Sequence, residues 1–202
     1  MHRAGPSQRL RRVARVAYDV GMDTTPDIEQ VLGFWRDAGY ARWFQGGAAF
    51  DAECRERFTG AHFAAARRDC EHWMDSADGA VALLVLLDQI PRNIFRGTAH
   101  AFATDPLALH YARRAVDEGL HLQVEADLRA FVYMPFEHSE DLADQRRAVA
   151  LFEALGDAGY IAYARAHLEA VERFGRFPHR NRVLGRSSTA DEQAWLDAGG
   201  GF

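Results

Sequence analysis

Residues 79–97 read Gly79-Ala80-Val81-Ala82-Leu83-Leu84-Val85-Leu86-Leu87-Asp88-Gln89-Ile90-Pro91-Arg92-Asn93-Ile94-Phe95-Arg96-Gly97, and this stretch decides the fold. Residues 79–90 are apolar on nearly every side of a helix, the pattern of an element buried all round at the centre of a helical domain. The longest unbroken apolar run, Ala80 to Leu87, is far shorter than the ~20 residues of a membrane span, so no membrane partner is expected. Pro91 is expected to end or kink the helix, because proline lacks the N–H and crowds the preceding turn. Asp88 closes the leucine run, where a carboxylate is costly unless paired or hydrogen-bonded. Arg92 and Arg96 fall one and two turns further on if helical character survives Pro91.

Working outward, the punctuation is helical. Thr25 and Pro26 read as the cap and first position of a helix over 26–38, with Ile28, Val31, Leu32 and Trp35 at helical spacing before Gly39. A second helical segment runs from Phe50 to about Trp73, with Asp51 as cap and a break near Gly60. Cys54 and Cys70 lie on it in no metal-binding or redox spacing and read as small, reduced core residues. Downstream, Asp105-Pro106 opens a helix that closes at Gly119, and another covers roughly 125–133 before Pro135. Ser139 caps a helix running to about Leu155, and Tyr160, Tyr163, Ala164, His167, Val171 and Phe174 form the inward stripe of one ending at Gly175. A capping box, Thr189 to Glu192, precedes a short last helix. No strand-type alternation occurs. The expected class is all-α: stacked antiparallel helix pairs, about seven or more helices, with no fixed-period repeat.

At 202 residues and 48% hydrophobic, the chain suffices for one helical domain, expected over 23–202. Residues 1–22 carry Arg3, Arg9, Arg11, Arg12 and Arg15 before the first acid, Asp19, and lack the apolar region of a secretory signal. They are expected to be a flexible basic arm, of transit-peptide character or from a start misassigned upstream of Met22. The net charge of -5 argues against a surface that coats nucleic acid or anionic membrane, so any basic patch must be local. All 24 residues counted as Lys+Arg are arginine, a composition typical of a GC-rich genome, which limits what a single arginine means.

Three strings nonetheless hold more arginine, histidine and carboxylate than packing needs: Asp88 to Gly97, His138-Ser139-Glu140-Asp141, and Arg173-Phe174-Gly175-Arg176-Phe177-Pro178-His179-Arg180-Asn181. Asp88 either orients an arginine or ligand, or forms a structural buried pair that aligns the kinked helix. His138 and Glu140 stand at a helix mouth, with Asp144 on the face of Glu140; they offer an acid/base pair or metal ligands, or merely complement the helix dipole. His167 on the inward stripe is a satisfied core histidine unless His138 or His179 is its neighbour. From Arg173 to Ala190 there are five arginines, Arg173, Arg176, Arg180, Arg182 and Arg186, and no acid. Interleaved with Phe174 and Phe177, they form a phosphate- or carboxylate-binding patch, or else pair internally with Asp88, Glu140 or Asp144. No zinc spacing, Walker loop, GxGxxG or GxSxG is present, and neither metal nor cofactor is expected.

These strings resemble the bacterial domain-of-unknown-function 924 family, as do Phe34-Trp35, Trp43-Phe44, Phe50-Asp51, Tyr133-Met134-Pro135 and Leu184-Gly185-Arg186-Ser187-Ser188-Thr189. The resemblance spans about Ile28 to the last residue. It implies a fold similar to the tetratricopeptide-like superfamily, with helix pairs stacked in a right-handed superhelix, and a bacterial, cytoplasmic protein. It supplies no catalytic residues.

Three functions compete. The first is a pocket for a small anionic molecule bearing phosphate or carboxylate, with hydrolase-type acid/base chemistry. Its catalytic candidates are Asp88, His138, Glu140 and His179, with Glu140 or Asp88 as base and His138 or His179 as acid. Its ligand-binding candidates are Arg92, Arg96, Asp144, His167, Arg173, Arg176, Arg180 and Asn181. The second is a tetratricopeptide-like module that binds a protein segment or RNA through the arginine and phenylalanine strip, with steep salt dependence. The third is purely structural, the strings being consumed in internal ion pairs with no cavity beside them. The carboxylates favour the first, because a solvated RNA-binding strip needs no Asp88, Glu140 or Asp144.

Overall fold

The structure, a computed structural model, describes residues 26–202; the basic arm over 1–22 and the Thr25 cap lie outside the described residues. Helix α1 (Ile28–Gln45) is capped by Asp27, whose carboxylate accepts from the Gln30 backbone at 2.9 Å while Gln30 Oε1 accepts from the Asp27 N–H at 3.0 Å. Gly39 kinks α1 and does not end it: at φ 64° and ψ 173° the backbone needs glycine, and helix resumes beyond it. Helix α2 (Gly47–Ala66) passes through Gly60 unbroken. Asp51 lies inside α2 rather than capping it, and pairs with Arg96.

Helix α3 (Ala77–Leu84) begins at Ser76, whose hydroxyl accepts from the Gly79 N–H at 3.1 Å. Val81, Leu83, Leu84, Val85, Leu86 and Leu87 are all 1% exposed or less, as the all-round apolar pattern requires. Each such side chain contributes roughly 1.5–3 kcal/mol relative to leaving it in water. Helices α1, α5 (Asp105–Asp117) and α6 (Ala126–Glu137) pack on α3, and α2 covers the turn that follows it.

That turn, Val85–Gln89, is π-helical, and the chain continues into α4 (Ile90–Ile94). The helical turns continue past Pro91, so it does not end the helix; it sits at the start of α4, where its missing N–H is tolerated. The Ile90 N–H reaches back five residues to the Val85 carbonyl, and the next position has no N–H to give. Two carbonyls are left over, and side chains from elsewhere satisfy them. His62 Nδ1 donates to the Leu86 carbonyl at 2.9 Å, and the Thr104 hydroxyl donates to the Leu87 carbonyl at 2.6 Å. One added residue turns the helix face by ~100°, which aims Asp88 away from the leucines' neighbours and toward the end of α6.

Helix α6 also outlasts expectation, carrying Pro135 within it and ending at Glu137. Its terminal carbonyls are closed by the buried Gln145 of α7 (Leu142–Leu155), whose Nε2 donates to the Glu137 and Ser139 carbonyls, each at 2.6 Å. The α7 cap is Asp141, not Ser139; the Ser139 hydroxyl donates to Asp144 at 2.8 Å. Left-handed Gly156 (φ 83°) ends α7 and turns the chain into α8 (Ala158–Phe174), which packs on it. Tyr163 of α8 is 55% exposed, off the inward stripe on which His167 is buried. The Thr189–Glu192 capping box opens α9 (Ala190–Asp197) as the spacing predicts. Cys54 and Cys70 are free and buried. Among the described residues there is no strand, and no helix is long and apolar enough to cross a membrane.

Replacing Thr104 with valine keeps the shape but strips the Leu87 carbonyl of its donor. Thr104→Val is expected to cost about 1–3 kcal/mol, read as a lower urea midpoint with an unchanged slope.

Candidate polar site

The π turn delivers Asp88 fully buried, and three groups answer its charge. His138 Nδ1, just beyond the end of α6, lies 2.8 Å from Oδ1; Arg92 Nη1 lies 3.3 Å from the same oxygen; Gln89 Nε2 donates to Oδ2 at 2.6 Å. The Arg92 guanidinium also donates to the Asp88 backbone carbonyl and grips Asp105 with two bonds of 2.9 and 3.0 Å. Asp105 is shared: Arg180 Nη1 reaches it at 3.3 Å and donates to the His138 carbonyl at 3.1 Å. The Arg180 guanidinium lies between the Phe102 and Phe177 rings, 4.5 Å from each centroid.

Two carboxylates thus face two guanidiniums, which leaves no cation for the next acid. Glu137 is buried beside them, and burial, reinforced by the Asp88 charge and only partly opposed by Arg92, pushes its carboxyl up to about 8. Burial also works against the Asp88 charge, but Arg92 and then His138 outweigh it and hold that carboxyl down at about 2. His138 is lowered by burial and then by Arg92, so the ring is neutral; the Asp88 contact places its proton on Nδ1 and leaves the lone pair on Nε2. His167 lies 3.4 Å from Glu137, donates through Nδ1 to the Tyr163 carbonyl at 2.9 Å, and stands 6.2 Å from His138 between ring centroids. Burial, then His138, drops it to about 3. His179, against Phe177, is dropped to about 4 by burial and then Arg180.

Of the residues singled out from the sequence, the structure brings together Asp88, Arg92, His138, His167 and Arg180. Glu140 and His179 border this cluster across Phe177. Glu140 accepts from the Phe177 N–H at 2.8 Å and holds Arg186 with bonds of 2.7 and 2.9 Å. Burial is outweighed there by Arg186, so Glu140 stays low and is a poor base. Four others lie in separate networks: Arg96 with Asp51; Asp144 with Arg113 and Ser139; Arg176 and Asn181 both on Glu192. Arg173 covers the Phe174 ring at 4.7 Å. A cavity of about 180 Å³ beside Phe174, Trp195 and Phe202, and an open groove of about 330 Å³ over Arg176 and Glu192, are lined by neither Asp88 nor His138. Among the described residues no cluster of three or more His, Cys, Asp or Glu has the arrangement of a metal site.

Two central members escaped the sequence reading. Glu137 directly precedes His138, and an acid closing the apolar run Phe131 to Phe136 was the available signal. Asp105 reads locally as a helix opener, and nothing near it in the sequence marks it as the joint partner of Arg92 and Arg180.

A helical chain with a buried Arg, His and carboxylate network at the joint of a π turn and a helix end is the class that fold and site define. The family described as bacterial proteins of unknown function, DUF924, matches residues 31–200, and the chain belongs to it. The solved structure of a protein of unknown function from Agrobacterium tumefaciens is 48% identical, with a TM-score of 0.82. The match covers 85% of this chain and 97% of that one. No curated protein matches the chain.

The shifted groups set a pH profile. Glu137 rises from 4.5 to about 8 on folding, so its contribution is complete below pH 4.5 and is lost as pH climbs toward 8. His167 and His179 fall from 6.5 to about 3 and about 4, so their contribution is present above pH 6.5 and is lost as pH falls through that window. Glu137→Gln is expected to flatten the alkaline decline while leaving the acid decline in place, as thermal midpoints at successive pH values will show.

Proposed function

We propose that the Asp88–His138–Arg180 cluster serves a small molecule bearing phosphate or carboxylate, on which it performs acid/base chemistry of the hydrolytic kind. The supporting observation is a set of buried nitrogens without hydrogen-bond partners in the segment that roofs the cluster, Arg180 Nε and Arg186 Nε, both donors, together with His179 Nδ1. Buried polar atoms are nearly always hydrogen-bonded, and arginine nitrogens offer only donors, so an oxygen-rich anion is the chemistry that would satisfy them. The acid/base roles follow the proton inventory. His138, held by Asp88, would take a proton from water through Nε2, in the manner of an imidazole oriented by a buried aspartate. Glu137, still protonated near neutrality, would return a proton to the leaving group. Asp88 and Glu140 are too firmly ionised for the base role that the sequence suggested for them.

The reading as an RNA- or peptide-binding strip draws less support. Arg176, Arg180 and Arg186 are turned onto Glu192, Asp105 and Glu140, which removes three of the five cations the strip would present.

Calorimetric titration with inorganic phosphate and with acetate tests the proposal. Binding is expected in the wild type and is expected to weaken roughly tenfold or more in Arg180→Gln, which keeps the size but removes the charge. Absence of both anions from the wild type, or equal affinity in the variant, would sink it.

A further inference from the structure

The imidazole of His167 is covered by a ring that belongs to no helix. Phe202 stacks on it with 3.5 Å between centroids and 15° between planes. The same ring meets His179 at 5.5 Å and 88°, Phe177 at 6.1 Å and 88°, and Trp195 at 6.4 Å and 61°. Stacked and edge-on contacts at these separations are the favourable aromatic geometries. Four side chains from α8, the following turn and α9 therefore make a slot with room for one flat ring.

The segment that delivers Phe202 is Gly199-Gly200-Gly201, and each glycine has a reason. Gly199 and Gly201 have φ of 86° and 130°, where residues with side chains rarely go. At Gly200 an added Cβ would stand 2.2 Å from the Trp195 ring. The segment is held to α9 by backbone bonds from Gly199 to Leu196 and from Gly200 to Trp195, at 3.0 and 2.9 Å. A void of about 180 Å³ lies beside Gly200, Gly201 and Phe202, and the Phe202 side is 47% exposed despite its stacked face. Glycine loses the most conformational freedom on ordering, so a three-glycine strap gains correspondingly on release. Directly behind the Phe202 ring stand His167 and, 3.4 Å from it, Glu137.

We propose that this slot is a subsite for a flat aromatic or heteroaromatic ring on the ligand, and that Phe202 is the intramolecular occupant the ligand displaces. The inference adds a ring to the ligand class argued above, and rests on that reading only for the anionic group. Phe202 and the ligand ring compete, so the apparent affinity for a ring is reduced by the fraction of molecules in which the strap is docked.

Phenol, a neutral single ring, probes the subsite, and acetate, an anion without a ring, probes the anion site. Both are titrated into the whole protein and followed by the proton NMR signals of the histidine rings. Phenol is expected to bind Phe202→Ala about tenfold more tightly than the wild type, while acetate affinity is unchanged. Gly200→Ala, which keeps Phe202 but forces the strap off Trp195, is expected to give the same gain and carries the test if Phe202→Ala does not fold. His167→Ala in the open-strap background is expected to abolish the phenol gain. Equal phenol affinity in the wild type and the strap variants, or a gain that survives His167→Ala, overturns the subsite. Tight phenol binding without acetate binding upholds the subsite and overturns the anion reading.

Discussion

The charge of Asp88 is the constraint around which the rest is arranged. A carboxylate with no solvent exposure at the end of a leucine helix is tolerable only if every lone pair finds a partner and a cation stands close by. Arg92 cannot play that part alone, since a guanidinium buried with one carboxylate leaves most of its own donors unmet. Asp105 takes two of them, and Arg180 then shares Asp105. The network grows outward from one buried charge until α4, α5, the end of α6 and the turn after α8 are tied together.

The same arithmetic explains the unusual protonation of its neighbours. With Asp88 and Asp105 matched by Arg92 and Arg180, a third carboxylate at Glu137 is cheaper kept neutral, and so are His138 and His167. Buried ion networks of this kind add little net stability over a well-packed apolar core; what they fix is geometry. Here the geometry is a histidine with a defined tautomer beside a carboxylic acid that still holds its proton, two groups whose environments push them in opposite directions. Pairs separated in this way are the usual basis of acid/base assignments.

The roof over this cluster is built differently from its floor. The floor is α3 and its large apolar core, while Ala170, Val171, Phe177 and partly buried Trp195 form a much smaller cluster that carries the α8–α9 end. Polar ties supplement it: Glu140 to Arg186 and to the Phe177 backbone, and Glu192 to Arg176 and Asn181. Regions with few buried apolar contacts are those that open locally at low cost, so the α8–α9 end is held more loosely than the floor.

Most of the helical framework was legible in the sequence, because capping and periodicity are local physics. The central helix, the Asp105 and Thr189 starts and the left-handed glycines at 119 and 175 all follow from residues within one or two turns. The prolines are less disruptive than local physics suggests: helix α6 runs on through Pro135, and around Pro91 the carbonyls of Leu86 and Leu87 are satisfied by His62 and Thr104, distant in sequence. The site was half legible. Composition marked Asp88, Arg92, His138 and Arg180, since charge amid leucine and clustered arginine are visible without coordinates. That Arg176 and Arg96 turn elsewhere, that Asp105 and Glu137 join, and that Phe202 covers His167 depended on packing between residues up to 75 positions apart. The sequence by itself determined which segments are helices and that a buried charge must be answered; only the tertiary structure decided by which partner, because pairing is a matter of distance through space and not along the chain.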